Sequence, residues 1–221
     1  MARESHPVAR GPEGSPSPAR FTMPTGRLEA FSDSVFAFAI TLLVLNFQVP
    51  HAPSGGLARA LLDQWPSYLT YVVSFFVIGI MWINHYAIFR LIARVDRPML
   101  VMNLVHLLGV AFLPYPTALL GAYIQSEQDA RVASVLYAGT ATVIAIGFMG
   151  FWVYAVLHGL LRDGVDRARA LASIPRLGIS LLAYSLAMVV AFFSEPLSLA
   201  LIALIHVYYL FNPIAETIVG D

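Results

Sequence analysis

The stretch RLEAFSDSVFAFAITLLVLNFQ, residues 27–48, carries all of its charges within its first seven residues and is mainly apolar after Asp33. As an α-helix rising 1.5 Å per residue, it would be about 33 Å long, which exceeds the roughly 30 Å thickness of a membrane's hydrocarbon core. The stretch therefore predicts a helix that crosses a membrane.

The composition of the whole chain agrees with this prediction. Its 221 residues are 58% hydrophobic and 12% charged, with a mean hydropathy of +0.73. Soluble domains contain about 25% charged residues, and disordered chains combine low hydrophobicity with high net charge. The absence of cysteine excludes disulfides, thiolate metal sites and cysteine nucleophiles. We interpret the chain as an all-α, multi-pass membrane protein.

Working outward from the first helix, we predict a disordered N-terminal tail over residues 1–24 and one six-helix transmembrane domain over residues 25–221. Pro66, Pro98 and Pro196 lie where the second, third and sixth helices should begin, positions at which a missing N–H is tolerated. Pro114 and Pro116 fall late in the third helix and should kink it. The six predicted helices are 27–48, 65–92, 98–124, 131–161, 172–194 and 196–218.

The basic residues, all arginine, are unevenly distributed between the two ends of these helices. Eleven lie before the first helix or around the second and fourth connections, and two, Arg59 and Arg131, lie in the first and third connections. Because cytoplasmic loops carry the excess of basic residues, the bias predicts that both termini are cytoplasmic. This arrangement requires an even number of spans.

Five polar residues are predicted to share one depth in the inner half of the membrane, and an ionisable group at that depth is a functional hypothesis by default. They are Asp33, Asn84, His85, Asn103 and His106. One interpretation is a hydrogen-bonded clasp that fixes the first helix against the second and third. The other is a proton relay or an ion site. We favour the clasp because buried polar groups must find partners regardless of function.

The first helix also carries an apolar stripe on another face. At 100° per residue, one stripe contains Phe31, Ser34, Phe38, Thr41, Leu42 and Leu45. Asp33 lies about 140° away from Phe38. Periodicity alone favours lipid contact or packing for this stripe. If several copies of the helix surround an axis, the stripe instead lines a pore, with a constriction that gates by dewetting and Thr41 oxygens available to a cation.

Several motifs resemble one known family. Residues 27–33, RLEAFSD, fit the R-x-x-x-F-S-D signature of the transmembrane protein 175 family, the lysosomal potassium channels and their prokaryotic relatives. Residues 34–45 are similar to the rest of that family's first helix. The resemblance continues in WINH at 82–85 and LPYPT at 113–117, so it covers the first half of the chain.

The resemblance implies that residues 25–221 form a potassium-permeable cation channel that needs no cofactor and assembles as a homotetramer in a prokaryotic plasma membrane. It implies that the first helix lines the central pore, with a constriction formed by Phe38, Leu42 and Leu45. Thr41 would form a polar layer that contributes to selectivity, with Ser34 as a further pore-lining hydroxyl. The family usually has isoleucine or leucine where this chain has Phe38, so the constriction should be narrower.

The same resemblance implies structural roles for the signature residues Arg27, Phe31, Ser32 and Asp33. The chain lacks a T-V-G-Y-G filter, so we expect modest selectivity among monovalent cations. The expected partners are further copies of the chain, membrane lipid and potassium or other monovalent cations. We do not expect a nucleic-acid partner, because the arginines flank the spans as membrane orientation requires.

Two other functions remain open from the residues alone. A proton-coupled secondary transporter could use Asp33, His85 and His106, although no convincing internal repeat relates the two halves of the chain. An intramembrane enzyme could hold haem or zinc with His85 and His106. We disfavour the enzyme because the sequence offers no third ligand at a suitable spacing.

Overall fold

The computed structural model describes residues 22–212. This part of the chain consists of eight α-helices, one 3-10 helix and a two-stranded ribbon. In chain order the elements are β1 Thr22–Pro24, α1 Gly26–Leu42, the 3-10 helix Leu43–Asn46, α2 Leu57–Leu62, α3 Trp65–Phe89, β2 Arg94–Asp96, α4 Arg97–Phe112, α5 Pro114–Tyr123, α6 Glu127–Leu157, α7 Arg167–Ala191 and α8 Glu195–Phe211.

Within residues 22–212, five helical stretches are long and apolar enough to cross a membrane. They are Gly26–Asn46, Trp65–Phe89, Arg97–Tyr123, Glu127–Leu157 and Arg167–Ala191, and they coincide with the first five predicted helices. The sixth predicted helix is present as α8, a shorter apolar helix of 17 residues, or about 26 Å. Its predicted end at residue 218 lies outside the described residues.

The predicted N-terminal tail, residues 1–24, extends too far towards the first helix. Most of residues 1–24 lie outside the described residues, but Thr22–Pro24 form β1. This strand pairs with β2 in antiparallel register, with Met23 opposite Val95. The backbone hydrogen bonds of the ribbon order the segment, an effect that local composition did not indicate.

The first predicted helix also differs from the structure. The α-helix ends at Leu42 instead of residue 48, and one 3-10 turn continues it to Asn46. The Asn46 side chain donates a hydrogen bond to the Pro114 carbonyl at 3.2 Å, which ties this turn to α5. Leu45 therefore lies in the tighter turn, where successive side chains are about 120° apart.

The prolines act as predicted. Pro66, Pro98 and Pro196 lie in the first turns of α3, α4 and α8. The third predicted helix divides at Leu113, directly before Pro114, into α4 and α5. At the break, the Leu113 carbonyl accepts both the Thr117 backbone N–H at 3.2 Å and the Thr117 hydroxyl at 3.0 Å. The short helix α2 was not predicted.

The arginine-rich end of the bundle is held together by the backbone. The β1–β2 ribbon joins the N-terminal segment to the α3–α4 connection. A bridge between Ile92 and Leu161 then joins that connection to the one between α6 and α7. The Arg162 guanidinium adds a hydrogen bond to the Ile92 carbonyl at 3.1 Å. Three segments that are distant in sequence therefore form one layer.

The helices α4 and α6 approach each other closely through glycine. A Cβ atom added at Gly147 would lie 2.8 Å from the Cα atom of His106, and one added at Gly109 would lie 2.6 Å from Cγ1 of Ile144. Small residues allow this approach between membrane helices, where van der Waals packing drives association. The close contact sets the position of His106 relative to α6.

We predict that Gly147→Ala lowers the midpoint of thermal unfolding of the detergent-purified protein. The added methyl group would push against the α4 backbone, and overpacking of this kind costs about 1–3 kcal/mol. Gly150→Ala is the matched control, because nothing lies within 4 Å of a Cβ at that position. Equal midpoints for the Gly147 variant and the wild type would contradict the close α4–α6 contact.

Candidate functional site

The helix α1 presents two different faces. One face is buried and consists of Leu28, Ser32, Phe36 and Ala39, spaced three or four residues apart. This face packs against α3 and α4. Together with α7, α1 is the least buried of the five candidate spans, so much of its surface is available to something other than its own protomer.

The predicted stripe lies on the exposed side of α1, and we refer to it as the open face. Its members are Phe31, Ser34, Phe38, Thr41, Leu42 and Leu45. The side chains of Phe31, Phe38, Leu42 and Leu45 are 50%, 69%, 43% and 72% exposed, respectively. Leu45 remains on this side although it belongs to the 3-10 turn. The open face is therefore continuous over the length of the helix.

The two hydroxyls of the open face already use their hydrogens within the helix. Ser34 donates to the Ala30 carbonyl at 2.8 Å, and Thr41 donates to the Phe38 carbonyl at 2.9 Å. A hydroxyl oxygen has two lone pairs besides its hydrogen. Both residues are exposed, so each oxygen can act as an acceptor or as a cation ligand.

A hydrogen-bonded chain fastens the buried face of α1 to two other helices. Asn103 on α4 donates from Nδ2 to the Ser32 hydroxyl at 3.0 Å. Its Oδ1 accepts from Nε2 of His85 on α3 at 2.9 Å. All three side chains are buried. The contact between α1 and α4 thus runs through Ser32, one of the predicted structural signature residues.

His106 lies beside this chain without joining it through a hydrogen bond. Its ring stacks on that of His85, with the centroids 5.4 Å apart. Its Nδ1 atom contacts the Ile144 carbonyl at 3.0 Å, and because a carbonyl can only accept, Nδ1 carries the proton. Its Nε2 atom is therefore an acceptor, and it has no hydrogen-bond partner among the described residues.

The two remaining members of the predicted polar group have different partners. Asp33 accepts a hydrogen bond from the indole N–H of Trp82 at 2.8 Å. Asn84 donates to the Ile80 carbonyl of its own helix at 2.9 Å. The structure therefore brings Ser32, His85, Asn103 and His106 together, whereas Asp33 and Asn84 bond elsewhere. Arg27 is exposed in the first turn of α1.

Two features of this polar layer were not predicted from the sequence. Trp82 was not predicted to be a partner of Asp33, although its position three residues before His85 places it on a neighbouring part of the same helix surface. A second buried cluster joins Ser74, Thr117 and Tyr137, with oxygen–oxygen distances of 2.9 and 3.2 Å from Ser74. Hydroxyl groups in apolar helices gave no pattern from which this cluster could be identified.

Comparison with known proteins identifies a consistent set of relatives. A family model described as "Endosomal/lysosomal potassium channel TMEM175" matches residues 27–114. A potassium channel of Streptomyces collinus is 46% identical over 86% of this chain and 93% of its own length. A potassium channel of Chamaesiphon minutus is 43% identical over 84% of this chain and 93% of its own length.

A solved structure and a human protein extend the comparison. The crystal structure of a "lysosomal potassium-selective channel TMEM175 homolog" from Chamaesiphon minutus matches with a TM-score of 0.77 at 40% identity, over 86% of this chain and 97% of the other. The human endosomal/lysosomal proton channel TMEM175 is 31% identical over 60% of this chain but only 28% of its own length. The relatives are channels, not enzymes.

We predict that Ser32→Ala lowers the thermal unfolding midpoint of the purified protein. The substitution leaves the buried Asn103 Nδ2 group without its acceptor, and such a loss costs about 1–3 kcal/mol. Ser34→Ala is the matched control, because Ser34 is exposed and bonds only within its helix turn. If the two variants unfold at the same temperature, the Ser32–Asn103 bond does not stabilise the bundle.

Proposed function

Because the chain belongs to the TMEM175 family of channels, we propose that it is a potassium-permeable channel of four identical subunits whose pore is lined by the open face of α1. The family and the apolar helices make the chain an integral, multi-pass membrane protein, and its bacterial relatives indicate the plasma membrane. The expected cargo is potassium or another monovalent cation, with no resident cofactor. The observation that carries the proposal is the open face itself.

The division of α1 into two faces supports the pore. One face is fastened to α3 and α4 through Ser32, so the opposite face has a defined direction. That face combines exposed apolar side chains with two exposed hydroxyl oxygens. Lipid offers no partner for a hydroxyl oxygen, whereas a water-filled passage does. If four subunits are arranged around an axis that runs beside α1, their open faces together form the wall of a pore.

The proposed constriction consists of rings of Phe38, Leu42 and Leu45 from the subunits. A narrow apolar passage resists filling with water, and ions cross it only when it becomes wet. Phe38 is the bulkiest of the three residues and is 69% exposed, so it can reach furthest from the helix. We infer that Phe38 sets the minimum diameter and that the resting conductance is low.

Selectivity in this proposal comes from Thr41 and is modest. Apolar rings cannot replace the hydration shell of an ion, and the chain has no T-V-G-Y-G sequence to supply a carbonyl cage. Thr41 lies between Phe38 and Leu42 along α1, and its hydroxyl donates its hydrogen to the Phe38 carbonyl. A ring of such oxygens can hold a partly hydrated cation between the apolar layers.

We further propose six spans with both termini in the cytoplasm. The helix α8 runs to the edge of the described residues, and the sequence predicts its continuation to residue 218. The arginine excess lies at the end of the bundle that carries the β1–β2 ribbon. Six spans bring the C-terminus back to that end, as the positive-inside rule requires.

The contacts of the polar residues favour a channel over a proton-coupled transporter. Asp33 bonds with Trp82, His85 with Asn103, and His106 with the Ile144 carbonyl. A relay through Asp33, His85 and His106 would require these groups to exchange protons, yet each is committed to a different partner. The relatives named above, which are potassium or proton channels, agree with this preference.

We predict that Phe38→Asn and Leu42→Asn each increase potassium flux through the protein reconstituted in liposomes. Polar rings lower the free-energy cost of wetting the constriction, and each reduction of about 1.4 kcal/mol raises the rate about tenfold. Flux is measured with a potassium-sensitive dye and compared with single-channel recordings in planar bilayers.

Two variants control for changes in folding and for changes in side-chain bulk. Phe38→Leu keeps an apolar side chain in a wider constriction and should raise the flux less than Phe38→Asn does. Leu182→Asn places the same polar group on an exposed position of α7, away from α1, and should leave the flux unchanged. If neither Phe38→Asn nor Leu42→Asn changes the flux, the open face of α1 does not line the pore.

We predict that Thr41→Val lowers the potassium-to-sodium permeability ratio towards unity, whereas Thr41→Ser preserves it. Valine keeps the shape of threonine but removes the oxygen ligand, and serine keeps the oxygen. The ratio is obtained from reversal potentials in bilayers with potassium on one side and sodium on the other. If the valine variant keeps the wild-type ratio, selectivity arises elsewhere in the pore.

A further inference from the structure

An apolar groove of about 320 Å³ runs along the surface of the protomer between α7 and α8. Most of its lining residues are aliphatic, and three of them, Ile179, Leu186 and Leu204, are exposed. The hydroxyls of Ser180 and Tyr209 also line it, and they are hydrogen-bonded to each other. We refer to this space as the outer groove.

The outer groove is separate from the open face of α1. The helix α1 packs against α3 and α4, whereas α7 packs mainly against α6 and α8. None of the residues that line the groove belongs to α1. A ligand bound in the outer groove is therefore independent of the proposed pore.

The length of the outer groove matches one leaflet of a membrane. Its lining residues on α7 extend from Arg176 to Leu186, and ten residues of an α-helix rise about 15 Å. The hydrocarbon core of a bilayer is about 30 Å thick, so one leaflet accounts for about half of that distance. An apolar groove of this length suits a single acyl chain.

A positive charge lies at one end of the outer groove. Arg176 is the one charged residue among those that line it. It lies at the end nearer to the arginine-rich end of the bundle, because α7 begins there at Arg167. The guanidinium donates from Nη2 to the Asn212 carbonyl at 2.9 Å, in a bond at the surface beside the end of α8. Long arginine side chains place their charge at the edge of an apolar surface in this way.

The charge of Arg176 is not neutralised by the part of the protein that the structure describes. Within residues 22–212, Arg176 forms no ion pair with an Asp or Glu side chain. Its other neighbour is the Tyr208 ring, whose centroid lies 5.4 Å from Cζ. A carbonyl and a ring face carry only partial negative charge. The guanidinium has five N–H donors in a geometry that matches a phosphate group, and Nη2 at the surface is accessible to one.

We propose that the outer groove binds one anionic phospholipid, with its phosphate on Arg176 and one acyl chain between α7 and α8. Basic pockets between membrane helices bind anionic headgroups in this manner. A headgroup with a net negative charge is favoured over phosphocholine, because the choline ammonium offsets the charge of its own phosphate. The apolar length and the terminal arginine together select a lipid, not a free phosphate ion.

Native mass spectrometry of the full chain purified in detergent tests the proposal. The protein is titrated with dioleoylphosphatidylglycerol or with dioleoylphosphatidylcholine, and the dissociation constant of the first bound lipid is measured. The wild type should bind the anionic lipid about fivefold more tightly, which is the contribution of one arginine near a membrane surface. Equal affinities for the two lipids would overturn the proposal.

Two variants separate Arg176 from the other arginines at the same end of the bundle. Arg176→Gln should weaken phosphatidylglycerol binding about fivefold and leave phosphatidylcholine binding unchanged. Arg94→Gln removes the same charge from an exposed position outside the groove and should keep the wild-type affinity. Wild-type affinity in the Arg176 variant, or an equal loss in the Arg94 variant, would show that Arg176 does not hold the headgroup.

A second pair of variants tests the acyl chain. Ala183 lines the groove midway along α7, so Ala183→Phe should fill it and weaken phosphatidylglycerol binding while Arg176 remains in place. Leu182→Phe adds a ring on another, exposed face of α7 and should have no effect. Wild-type binding by Ala183→Phe, or a changed number of subunits in its mass spectrum, overturns the proposal. If Arg176→Gln does not fold, this pair decides.

Discussion

The hydrogen bonds of Asn103 determine how α1 is placed in the bundle. One side chain donates to Ser32 on α1 and accepts from His85 on α3, while its own backbone belongs to α4. In the apolar interior of a membrane protein, water is not available to replace either bond. Rotation of α1 about its axis would leave the Asn103 amide and the Ser32 hydroxyl without partners. The polar pair therefore selects one rotation of an otherwise apolar helix.

The directions of the other α1 side chains follow from this rotation of the helix. With Ser32 turned inward, Phe36 and Ala39 enter the core, and Phe36 contacts the rings of both His85 and His106. The side chains about half a turn away must then face outward, among them Phe38 and Thr41. The same bonds that stabilise the protomer thus expose the surface that the proposed pore uses. Function and stability depend on opposite faces of one helix.

Much of the fold could be predicted from hydropathy and from prolines, because membrane helices are long and must satisfy their backbone internally. The first five predicted helices correspond to candidate spans, and a kink from Pro114 and Pro116 was predicted where the structure divides the helix into α4 and α5. The β1–β2 ribbon was not predicted, since it pairs residues 70 or more positions apart that lack a strong strand pattern. The 3-10 turn after Leu42 was also missed, because its anchor is the contact between Asn46 and Pro114.

For the candidate site, the sequence by itself determined which residues lie on each face of α1, because a helix converts spacing into direction. It also determined that several polar side chains would share a depth. Only the tertiary structure decided the hydrogen-bond partners, which are Ser32 with Asn103, Asp33 with Trp82, and His106 with the Ile144 carbonyl. The pocket among α3, α4, α6, α7 and α8 likewise exists only where five helices meet. Periodicity acts within one helix, whereas hydrogen-bond partners and cavities depend on the rotations and separations of several helices at once.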